Sequence, residues 1–179
     1  ERKGVSPGFP QLDSLSGGGL WPGLYIFGAI SSLGKTSFVL QMACAVAQGG
    51  RDVLYFTLEQ SHRELMAKSL SRVSAQEGDW EGAWTARQLL GGQAGEDKWG
   101  RRRLERIRQQ YGDLGRRLFF REGIGELGAP EIRQEAQRHR DMRGQAPVVV
   151  VDYLQILRPW DPRSTDKQNV DRAVVELKR

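Results

Sequence analysis

The sequence predicts an α/β fold of three layers, with helices on both faces of a mainly parallel sheet. Three observations carry this expectation. Short apolar runs of strand type alternate with helix-forming stretches, and that alternation implies right-handed crossovers between parallel strands. Two of the runs, DVLYFTL from Asp52 and PVVVVD from Pro147, are nearly continuous in apolar residues, as strands covered on both faces are. The third observation is Leu24-Tyr25-Ile26-Phe27, then a glycine-containing turn, then helix-forming residues to Gln48. That succession reads as strand, turn, helix.

The elements follow in order. Residues 1–20 are rich in Gly, Ser and Pro and end in Gly17-Gly18-Gly19, so they form an irregular lead-in. Gly49-Gly50 stops the first helix, and the second strand runs from Asp52 to Leu58 with Glu59 at its carboxyl end. Ser61 and Glu64 have capping-box spacing and open a helix to about Ser74. Between Gln76 and Lys98 the pattern weakens to short helical pieces and a mobile loop, with Trp80 and Trp84 as packing residues. An arginine-rich helix follows, then a short strand at Leu118-Phe119-Phe120. Pro130 opens a helix to about Met142, since proline is tolerated in the first turn. After the valine strand come Pro159 and Pro162 in a loop, and a last helix begins near Lys167.

The chain has 179 residues and a mass of 20.2 kDa, suited to one domain over residues 1–179. It is 39% hydrophobic and 27% charged, a globular balance, and no run approaches the length of a membrane span. One cysteine excludes an internal disulfide framework and an all-cysteine zinc site, and two histidines leave little for a side-chain metal cluster. Cys44, among small apolar neighbours, reads as a buried residue, and His62 and His139 as exposed helix positions. No basic-then-apolar leader opens the sequence, so a cytoplasmic location is expected.

The net charge of +5 is local. Arg101 to Arg117 holds seven arginines against Glu105 and Asp113, an excess equal to that of the whole chain. Leu104, Ile107, Tyr111 and Leu114 recur there at helical spacing, which turns the arginines to the outer face. A solvated helix face accounts for the pattern, with a nucleic-acid patch as the alternative.

The chemistry gathers at the ends of the expected strands, where α/β folds hold ligands. Ala29-x-x-x-x-Gly34-Lys35-Thr36 has the spacing of a phosphate-binding loop, with alanine for the usual first glycine. Ser31, Ser32, Leu33, Gly34, Lys35, Thr36 and Ser37 are therefore the candidates for ATP binding. Backbone N–H groups wrap the phosphates, Lys35 reaches the outer oxygens, and the Thr36 hydroxyl is a ligand for Mg²⁺. Asp152 closes the valine strand and is the second candidate for the magnesium. A turn-forming aspartate is its other reading. Tyr153 stands where many ATPases carry a catalytic glutamate, so another carboxylate must orient the water. Glu59 is the candidate, expected on a strand adjoining the loop strand, although a solvated glutamate before a helix has the same pattern.

These residues lie within a wider resemblance to the C-terminal ATPase domain of DnaB-type replicative helicases, in the RecA-like group. It is carried by Gly8-Phe9 with Leu12-Asp13, Gly18-Gly19-Leu20, SSLGKTSFVLQMA from Ser31 and FTLEQS from Phe56. APEIRQEAQR from Ala129, VVDYLQIL from Val150 and DKQNVDRAVVELKR from Asp166 continue it. Only about residues 76–116 stand outside. The resemblance implies a RecA-like core in a hexameric homo-oligomeric ring that hydrolyses nucleoside triphosphate and moves along single-stranded DNA. Lys35 and Thr36 match the family's phosphate and magnesium residues, Glu59 its catalytic glutamate and Asp152 its second acidic motif. Such helicases continue with a sensor strand, DNA-contacting loops and an arginine finger that have no counterpart up to Arg179, so weak turnover is expected of this chain. A RecA-like ATPase of recombination-mediator or regulatory type, and a nucleotide-binding scaffold without activity, are the competing readings.

Overall fold

The computed structural model describes residues 4–30, 32–76, 82–123 and 127–178. Its elements are α1 (Pro10–Leu15), α2 (Lys35–Gln48), β1 (Val53–Thr57), α3 (His62–Gln76), α4 (Ala86–Leu90), α5 (Lys98–Gly115), β2 (Leu118–Glu122), α6 (Ala129–Arg143), β3 (Val148–Asp152) and α7 (Asp166–Lys178), with a 3-10 turn at Leu154–Ile156. The described strands form a parallel sheet in the order β2-β1-β3.

The central strand explains the layering. All five residues of β1 are buried, and alternate side chains point to opposite faces. Val53 and Tyr55 pack with Leu40, Ala43 and Cys44 of α2, Leu65 of α3 and Leu114 of α5. Leu54 and Phe56 pack with Ile132 of α6, and Ala173 and Leu177 of α7 join that second cluster. Helices therefore cover both faces, as expected. The arginine-rich helix turns Ile107 and Leu114 inward, and Cys44 is fully buried. Ser61 and Glu64 make both bonds of the capping box, Ser61 N to Glu64 Oε2 at 2.8 Å and Glu64 N to Ser61 Oγ at 3.3 Å.

Several expectations are corrected. The lead-in contains α1, with proline in its first turn, and an antiparallel bridge joins Val5 to Leu20. Leu24 to Phe27 forms no regular element and makes no ladder among the described residues, and Ile26 is 66% exposed. An apolar run specifies extended backbone, whereas pairing depends on a neighbour that the run does not encode. Here side chains hold the segment: the Tyr25 hydroxyl accepts from Trp21 N at 3.0 Å, and Phe27 meets Phe38 of α2 edge-on at 5.6 Å. The strand at Leu118 runs on to Glu122. Trp84 packs against the Leu70, Val73 and Ile107 cluster, and Trp80 lies outside the described residues.

His139 is buried, not exposed. It faces Asp52, itself 2% exposed, with Nε2 and Oδ2 3.0 Å apart. Arg143 donates to the same oxygen at 2.9 Å and Arg117 to Oδ1 at 3.1 Å. These groups tie the start of β1 to the end of α6 and the start of β2. Burial alone would raise the Asp52 pKa, but the hydrogen bonds of Arg143 and His139, the Arg143 charge and the Arg117 bond together hold it below the ordinary value.

Candidate functional site

The phosphate-binding pattern falls where α2 begins. Gly34 caps the helix in the left-handed region at φ +85, and Ser32 also has positive φ, at 64. A side chain at Gly34 would meet nothing within 4 Å, so it is the backbone angle that favours glycine there. The turn leaves the first N–H groups of α2 without carbonyl partners, the usual condition for receiving an anion. Lys35 and Thr36 are half-buried, while Ser32, Leu33, Gly34 and Ser37 are exposed. Ser31 lies outside the described residues. The Lys35 ammonium donates to the carbonyl of Ala29 at 3.0 Å and lies 5.8 Å from the centre of the Tyr153 ring.

The two carboxylates come from neighbouring strands. Thr57 of β1 pairs with Asp152 of β3, and Leu58 N continues the ladder to the Asp152 carbonyl at 2.9 Å. Glu59 is the next residue and is exposed. Glu59 and Asp152 thus leave the same end of the sheet side by side, and the contact between Lys35 and Tyr153 brings the loop to that end. The strands beside β1 are β2 and β3, and the loop segment pairs with neither among the described residues, which corrects the expected neighbour of Glu59. Asp152 is 7% exposed and accepts a hydrogen bond from the Tyr55 hydroxyl at 2.9 Å. Burial and then the Asp152 charge push the Tyr55 phenol far above its ordinary range, so it remains a donor. The arrangement sets a loop of N–H groups and one ammonium against two carboxylates, the balance that a polyphosphate with a divalent cation requires.

A profile of the DnaB-like helicase C terminal domain matches residues 4–179. The chain belongs to this family. The replicative DNA helicase DnaB of Geobacillus stearothermophilus is 27% identical over 180 residues, an alignment that spans 100% of this chain and 36% of that protein. DnaB of Helicobacter pylori is 26% identical, over 88% of this chain and 30% of its own length. The chain therefore spans about a third of the curated relatives it matches. A solved ATPase domain superposes with a TM-score of 0.82 at 21% identity, covering 98% of this chain and 58% of its own. A DnaB-like replicative helicase, described with its primase interactions, gives 0.81 at 21%, over 98% of this chain and 40% of its own. These likenesses establish the three-layer RecA-like fold.

Two residues of this DnaB-like domain escape a reading of the sequence. Tyr55 looks like one more apolar letter of β1, yet its hydroxyl orients Asp152. Tyr153 looks like a missing glutamate, yet its ring lies beside the Lys35 ammonium. No pattern at the sequence level signals either contact. Among the described residues, no cluster of three metal-binding side chains occurs, and no helix is long and apolar enough to cross a membrane.

Proposed function

We propose that residues 1–179 form one ATP-binding domain of a replicative helicase, hydrolysing ATP to drive movement along single-stranded DNA. The observation that carries this is the meeting, at one end of the sheet, of the loop before α2 with Glu59 and Asp152, in a chain of the DnaB-like family. The N–H groups from Ser31 to Ser37 receive the phosphates, and Lys35 neutralises their outer oxygens. Thr36 and Asp152 hold Mg²⁺, Asp152 being oriented by Tyr55. The metal, when bound, offsets charge on the phosphate oxygens. Glu59 orients the attacking water and takes its proton, a role that its exposure permits. The domain works as part of a hexameric ring in the cytoplasm.

The test is titration of the chain with a fluorescent ATP analogue and Mg²⁺, with and without single-stranded DNA. Lys35→Ala is expected to abolish binding. Glu59→Ala is expected to keep binding while hydrolysis falls by about 10² or more, the usual worth of a general base. Nucleotide binding that survives Lys35→Ala would overturn the assignment of the loop. DNA that leaves both affinity and turnover unchanged would count against the motor role.

A further inference from the structure

We propose that the outer face of α5, with the cleft beside its first turn, binds single-stranded nucleic acid at a place separate from the nucleotide loop. The inference stands whether or not the loop binds ATP. Arg101, Arg102 and Arg108 are exposed, and among the described residues none of the three meets a carboxylate. At 1.5 Å per residue they extend over about 10 Å of one side of the helix. They belong to the stretch that holds the chain's entire positive excess. Exposed Glu105 lies among them at helical spacing but makes no ion pair with any of the three among the described residues, and arginines that outnumber the carboxylate on their face fit a polyanion.

The ring beside them narrows the choice. Trp99 is 76% exposed, and the Arg102 guanidinium lies 5.8 Å from its centre. Next to Trp99 opens a cleft of about 590 Å³, lined by Trp84, Glu96, Asp97, Arg103 and Arg106 among others. Its wall is built: Arg103 lies over the Trp84 ring at 5.1 Å and donates to the Ser74 carbonyl at 2.9 Å. Asp97 is engaged as the helix cap, accepting from Gly100 N at 2.5 Å. An exposed aromatic ring for a base beside arginines for phosphates is the combination by which single strands are held. A duplex offers the phosphates without free base faces, and so uses only half of this surface.

The experiment measures fluorescence anisotropy of a labelled oligothymidylate of about 15 nucleotides with the 179-residue chain. Three variants accompany the wild type: Arg101→Glu/Arg102→Glu/Arg108→Glu, Trp99→Ala, and a control reversing three exposed charges elsewhere, Arg51→Glu/Arg163→Glu/Lys167→Glu. The arginine variant is expected to bind roughly 30-fold or more weaker, with a log affinity against log salt slope shallower by about 2. Trp99→Ala is expected to lose roughly tenfold, and the control less than threefold. The proposal is overturned if the wild type fails to bind, if the control loses as much as the arginine variant, if Trp99→Ala binds as wild type, or if a duplex of equal length binds as tightly. ATP-analogue titrations of the same samples separate the two readings: a wild type that binds the ATP analogue but not the oligonucleotide sinks this proposal alone. The reverse pattern sinks only the nucleotide assignment.

Discussion

Tyr55 is placed to act on both the core and the candidate site. Its ring packs 5.4 Å from Phe120, while its hydroxyl holds one oxygen of a buried carboxylate, Asp152. Tyr55→Phe leaves that oxygen without its donor, at an expected cost of about 1–3 kcal/mol in urea denaturation. A weaker Mg²⁺ dependence of nucleotide binding should accompany the loss. A stability change with an identical Mg²⁺ titration would confine Tyr55 to the core. The reason the sequence does not disclose this residue is separation: donor and acceptor lie 97 positions apart. Lys35, Thr36 and Asp152 stand out as candidates in the sequence because local spacing and position at a strand end single them out. His139 is misread for the same reason as Tyr55, since its partner Asp52 lies 87 residues away.

Elements were legible to the extent that local pattern decides them. The helix at α5 follows from the recurrence of Leu104, Ile107, Tyr111 and Leu114, and β1 and β3 from their apolar continuity. The segment from Leu24 to Phe27 did not follow, because a ladder is a property of two strands and the run describes one. The junction between loop and α2 offers a direct check. Gly34→Ala forces a side chain into φ +85, at a cost of about 1 kcal/mol, seen as a lower urea midpoint. Nucleotide affinity should fall further than stability, because the same angle aims the N–H groups. Equal affinity in Gly34→Ala would show that the loop does not need this angle.

At the scale of the molecule, ligand and proton both act through linkage. Nucleotide present at about 100 times its Kd adds about 2.7 kcal/mol to the folded state, a rise in Tm of about 5–10 °C for a chain of this size. Lys35→Ala should show no such rise. Protons act at the other end of the sheet. The folded pKa of Asp52 lies below its ordinary value, so as pH falls the unfolded chain takes up the proton first. Its contribution is therefore complete above about pH 5, begins to fade near the ordinary value of about 3.9, and is lost as pH drops through the folded value. Asp52→Asn should lower stability at neutral pH and flatten its decline between about pH 5 and 3. An unchanged acid limb in urea midpoints would remove Asp52 as its source. The strand between these two ends has a kinetic consequence of its own. β1 is paired along both edges and covered on both faces, so its amides reach solvent only when the whole domain opens. Hydrogen exchange should accordingly run slowest at Leu54 to Phe56 and fastest along 24–30, making the rod that carries Glu59 the last part of the molecule to exchange.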